Sequence, residues 1–262
     1  VLSAVEAQTL ALKIDRTLDA RRTLELYEAT QGWPLLFVLA CHQQLLHPAP
    51  QDVLANGPIQ QQASRYLAEL LRVESLPYQD ILLRTAILDD LTPTRCDFIL
   101  QSSIAWQRLS ELGNTIFLRV QWANSELHYR HAHTLIQTFL RTELEQRFAP
   151  AEVALLYARM GALHEKSDEW EQALRCYVRA DARNAAEALI EGKLFYLLDS
   201  VQFRRLEQWL AMLPPTWLTE STGLKLCQGV LWARQENPRT TSLLQSVIES
   251  CRPDADLERY AL

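Results

Sequence analysis

The chain has 262 residues, a formal charge of −6 and an isoelectric point near 5.6. With 26 Lys and Arg against 32 Asp and Glu it lacks the basic footprint of a nucleic-acid binder, so any DNA contact is expected from a domain not present here. The apolar share of 48% supports a real core, and the length suggests two or three domains.

Seven glycines in a chain rich in Leu and Ala favour helices. No apolar run approaches the ~18 residues of a membrane span, and no signal peptide is visible, so no membrane partner is expected. Five scattered cysteines (Cys41, Cys96, Cys176, Cys227 and Cys251) read as reduced thiols, which points to the cytoplasm. The chain starts at Val1 without an initiator Met and ends in Ala261-Leu262, and is expected to be a fragment.

Ser3-Ala4-Val5-Glu6 has the pattern of a capping box and opens a helix with apolar positions near Val5, Leu10 and Leu12. Leu24 to Thr30 predicts a second helix, stopped by Gly32-Trp33-Pro34. Gly32 can take a backbone conformation closed to other residues, and Pro34 suits the first turn of a third helix, 34 to about 46. His47-Pro48-Ala49-Pro50 and Asn56-Gly57-Pro58 mark a linker, closing a helical module over 1–57.

The second module, 58–149, opens with a face of Tyr66, Leu67, Leu70 and Leu71. Pro77 starts a helix carrying Ile81, Leu82, Ala86 and Leu88, Pro93 starts a shorter one, and 104–112 forms another, stopped by Gly113-Asn114. Thr115 to Gln121 reads as a strand, with a turn at Ala123-Asn124-Ser125 and a return strand at Leu127 to Arg130. A last helix is expected from Ala132 to Arg141. Helices, a hairpin and a closing helix make a winged-helix domain. Its recognition-helix candidate offers only Arg108, beside Glu111, so this winged helix reads as a structural lid and not as a DNA reader.

From 150 to 262 the chain is purely helical. Tyr157, Gly161 and His164, followed by Ala173, Tyr177 and Ala180, lie on the tetratricopeptide pattern, with Gly161 and Ala173 small where two antiparallel helices approach. Further pairs are read at 185–190 with 194–198, at 203–213, and at 224–232 with 241–248. Helical hairpins cannot bury their faces alone, so these must stack into a solenoid. The fold class is mainly α: a helical subdomain, a winged helix with one small β-hairpin, and a TPR-like α-solenoid.

No Gly-x-x-x-x-Gly-Lys-Ser/Thr loop, metal-ligand spacing or nucleophile arrangement is present, so the chain alone is expected to have no catalytic residues, no metal and no enzyme activity.

Gly32-Trp33-Pro34 before an aliphatic helix resembles the Gly-x-Pro motif of STAND signalling ATPases, in particular the MalT-like, LuxR-type transcriptional regulators. The Leu-Ser-x-x-Glu-Ala opening, the segment Tyr129-Arg130-x-x-His133-x-Leu135-Ile136-x-x-Phe139-Leu140-Arg141, and Trp209-Leu210-x-x-Leu213-Pro214 are similar to segments of the same family. Arg130 stands one residue further from the aligned histidine than in the commonest version, which makes His131 a lesser candidate; the downstream residues favour His133. The resemblance implies nucleotide contacts by Gly32, Trp33, Pro34 and His133, with ATP or ADP held together with an upstream ATPase core. It further implies an inducer on the helical repeats, self-association when active, and DNA binding by a separate domain. A stand-alone helical scaffold for a peptide or protein partner is the alternative.

Overall fold

The computed structural model describes residues 1–46, 58–103, 105–112, 116–123, 126–199 and 203–251. The expected linker over 47–57, the stop at Gly113-Asn114 and the chain beyond Cys251 lie outside the described residues. Among those described are fifteen helices and a single two-stranded antiparallel sheet, so the fold is mainly α, as the sequence leads one to expect. Two compact units form, one from Val1–Thr92 with Ile104–Leu144, the other from Pro93–Ser103 with Glu145–Leu262.

The first unit begins with α1 (Ala4–Ile14), α2 (Ala20–Ala29) and α3 (Pro34–Leu46). The capping box is real: Glu6 N–H donates to Ser3 Oγ at 3.3 Å, and Ser3 N–H donates to the Glu6 carboxylate at 2.8 Å. The face of α1 that packs is made by Ala7 and Ala11, whereas Val5 and Leu12 are exposed. Small residues let the helices approach, and the larger ones are left outside. α2 starts earlier than Leu24 because Asp19 caps it, accepting from Arg22 N–H at 2.6 Å. Leu36, Phe37, Ala40 and Cys41 of α3 complete the buried layer.

Along the chain follow α4 (Pro58–Val73), α5 (Leu76–Thr85), α6 (Pro93–Leu100), α7 (Ala105–Leu112), β1 (Leu118–Ala123), β2 (Glu126–His131) and α8 (Thr134–Arg147). On α4, Leu67 and Leu71 are buried while Tyr66 is exposed. The hairpin pairs Leu118 with His131 and Val120 with Tyr129, and β1 runs later than the expected Thr115 to Gln121. Leu91 exchanges backbone hydrogen bonds with Tyr129 at 2.9 and 3.0 Å, a one-residue third rung. α8 closes this domain by reaching back to the end of α5. Arg141 donates to the carbonyls of Ala86 and Ile87, and Gln137 to those of Ala86 and Leu88, satisfying the α5 cap and the two residues after it.

In the second unit, α9 (Pro150–Lys166) and α10 (Trp170–Arg179) form the expected hairpin. A Cβ on Gly161 would lie 2.5 Å from the Tyr177 ring, so only glycine permits this approach. Next come α11 (Arg183–Asp199), α12 (Phe203–Met212), α13 (Pro215–Glu220), α14 (Thr222–Arg234) and α15 (Thr240–Cys251). Two expectations change here. The segments 185–190 and 194–198 are one helix, because Gly192 faces open space and does not interrupt it. Pro214-Pro215 does more than end a helix: Pro215 opens α13, whose Trp217 is buried.

Trp209 is fully buried in the core of this unit, among Leu189, Ile190, Leu206, Leu210 and Leu224. Its indole N–H donates to Glu171 at 3.1 Å, and Arg205 pairs with the same carboxylate. Arg205 first, then Trp209, holds the Glu171 carboxyl down to about 2 against the opposing effect of burial.

Candidate functional site

The end of α2 sets the geometry. Gly32 N–H donates to Tyr27 O at 3.0 Å and Gln31 N–H to Glu28 O at 3.1 Å, the paired bonds that close a helix through a left-handed residue. That residue is Gln31, at φ +50°, followed by Gly32 at φ +66°. Gly32 is required twice over, since a Cβ there would also lie 2.8 Å from both Leu2 O and Val1 Cγ1. Leu2 N–H donates to Gly32 O at 2.7 Å, pinning the start of the chain onto the turn. Trp33 follows, 8% exposed, and Pro34 opens α3 on the exposed side.

His133 reaches this turn from the junction between β2 and α8. It stands just before α8 and not inside it, because the helix begins at Thr134. Its ring stacks on the Trp33 indole, with centroids 5.5 Å apart and planes 21° apart. Leu135 N–H donates to Nδ1 at 3.2 Å, so Nδ1 carries the lone pair and Nε2 carries the hydrogen of the neutral ring. Nε2 faces the Gln31 carbonyl at 3.5 Å. Next to it, Thr134 Oγ1 donates to Gln31 Oε1 at 2.6 Å.

Burial is the first cause that lowers the His133 pKa; the Gln31 carbonyl opposes it, and the N-terminal charge and Arg119 add to it. Burial thus favours the neutral ring. Protonating Nδ1 would set two N–H groups against each other at Leu135.

All four residues expected to form the site are thus at one place: Gly32 shapes the turn, Trp33 and His133 stack, and Pro34 starts the helix that follows. His131 takes no part. Its buried ring nitrogens complete no hydrogen bond among the described residues, and its pKa is pushed down to about 4 by burial, then by Arg141. The carbonyls of Thr85 and Leu88, with Asp89, act in the opposite direction. Gln31 and Thr134 are the residues that sequence reasoning missed. No motif marks a glutamine in a left-handed position, and Thr134 reads as an ordinary helical residue.

An imidazole N–H and a hydroxyl can together donate to an acceptor-rich group such as a phosphate. Among the described residues no group of three or more His, Cys, Asp or Glu is placed to hold a metal ion.

Residues 67–152 match the family of the MalT winged helix domain, a stretch that includes His133 but not the Gly32 turn. No curated protein matches the chain. Among solved structures, the chain resembles the Signal Transduction ATPase with Numerous Domains (STAND) protein with a tetratricopeptide repeat sensor, PH0952, from Pyrococcus horikoshii, at a TM-score of 0.52 and 16% identity. That likeness covers 94% of this chain and 35% of the other, and it is one of fold. Residues 67–152 thus form a winged helix of the MalT type, in a chain whose fold resembles about a third of that neighbour. No helix among the described residues is long and apolar enough to cross a membrane.

Proposed function

We propose that a chain built on this MalT-type winged helix is the regulatory segment of a STAND-type, ATP-dependent transcriptional activator of the cytoplasm. One observation carries the reading: Trp33 and His133, on elements about 100 residues apart in sequence, stack on each other at the Gly-x-Pro turn. In the resting protein an upstream ATPase core holds ADP against this turn, and His133 Nε2–H donates to a phosphate oxygen. The winged helix is then clamped onto the core. An inducer or protein bound to the helical repeats favours the open, ATP-bound and self-associating form, through differential binding to two states. DNA is engaged by a separate domain.

The test is ADP affinity of the full-length protein, with His133 intact and as His133→Ala. The expected loss is about tenfold, roughly 1.4 kcal/mol. Indifference to ADP in both proteins would overturn the reading and leave a helical scaffold for a protein or peptide partner.

A further inference from the structure

We infer that Gln31 is a built-in competitor for the phosphate donors of this site, an inference that rests on the nucleotide reading of His133. Gln31 presents two oxygens, and each lies against one of the two donors. The main-chain oxygen faces His133 Nε2 at 3.5 Å, and the side-chain oxygen accepts from Thr134 Oγ1 at 2.6 Å. The donors belong to adjacent residues, so one residue occupies both.

The backbone alone favours glycine at this position. At φ +50° a glycine would sit without strain, whereas any other residue is held there at a cost. The glutamine spends its side chain on Thr134. Both of its oxygens are neutral, while a phosphate oxygen is charged and accepts more strongly. The contact to His133 is long and therefore weak. Both Gln31 and Thr134 are exposed, so the side chain can turn into water when it is displaced. The turn thus satisfies its own donors, and phosphate enters by exchanging with Gln31.

The experiment measures ADP affinity in the full-length protein for wild type, Gln31→Gly, Gln31→Glu and His133→Ala. Gln31→Gly suits the left-handed backbone and removes the side-chain competitor, so it is expected to bind ADP about threefold to tenfold tighter. Gln31→Glu keeps the acceptor for Thr134 and adds a negative charge beside the phosphate, so it is expected to bind more weakly than wild type. In a Thr134→Val background the gain from Gln31→Gly should vanish, since the pair acts as a unit. Tightening is a result that structural damage does not produce. If Gln31→Gly binds no tighter while His133→Ala still weakens binding, the competitor is refuted and the nucleotide reading stands. If His133→Ala changes nothing, both fall.

Discussion

Trp33 covers His133: the two rings stack 5.5 Å apart, and each is only 8% exposed. Burial is the leading reason that the His133 pKa is lowered, so the indole and the imidazole titration are coupled. Trp33→Ala should lower the stability of the first unit by about 3 to 5 kcal/mol, as for a truncated buried Trp. It should also raise the His133 pKa toward its ordinary value. Denaturant unfolding reads the first and an NMR titration of the imidazole reads the second. An unchanged titration would show that the indole is not what shields the ring.

How much of this was legible in the sequence differs from residue to residue. Gly32, Pro34 and His133 carry local signals, namely a break, a helix start and a family-like segment, and the structure brings them together. Gln31 carries no such signal, because its role comes from a partner more than 100 positions away. Val5 and Leu12 misled for a related reason. Apolar character suggested a buried face, but close approach to neighbouring helices favours the small Ala7 and Ala11. The segments 185–190 and 194–198 read as two helices and are one, and Pro214-Pro215, which follows 203–213, also opens α13.

His131 makes the first unit sensitive to acid. Its folded pKa is near 4 and its unfolded value near 6.5, so between those limits the unfolded chain takes up more proton. Stability is intact above pH 6.5 and falls as the pH drops toward 4, by roughly 3 kcal/mol for a shift of this size. Urea midpoints at pH 7 and pH 4.5, compared between wild type and His131→Gln, test this. The glutamine variant should show a shallower fall. An equal slope in both would place the acid sensitivity elsewhere.

Two glycines of the second unit, Gly161 on α9 and Gly223 on α14, should respond differently to a methyl group. Gly161→Ala drives a methyl to 2.5 Å from the Tyr177 ring, which is held in the core, and should cost about 1 to 3 kcal/mol. At Gly223 an added Cβ meets first the carboxylate end of Glu191, which can swing aside, and then that of Glu187, which accepts from Ser221 Oγ and needs to yield only slightly. Gly223→Ala should therefore be neutral within about 0.5 kcal/mol, or stabilising through helix propensity. Thermal unfolding of the two variants decides it; equal losses would mean that the Glu191 side chain is not free to move.

Left-handed residues close helices in the second unit as well. Asp181 (φ +51°) and Glu236 (φ +54°) stand where glycine is usual, with the same paired bonds from Asp181 and Ala182, and from Glu236 and Asn237, back to the helix. Glu236→Gly should stabilise by about 1 kcal/mol, and Asp181→Gly by less, because Asp tolerates this conformation better. Calorimetry on the two single variants checks the order. A loss of stability at Glu236→Gly would point to a role for its side chain.

The unbroken run of α11 has a mechanical consequence. Its 17 residues make a rod of about 25 Å. That rod packs against α10, α12 and α14. A push delivered to the last hairpin cannot be absorbed by a loop midway, as it would be if 185–190 and 194–198 were separate helices. One continuous helix thus ties the α10 side of the unit to α12 and α14.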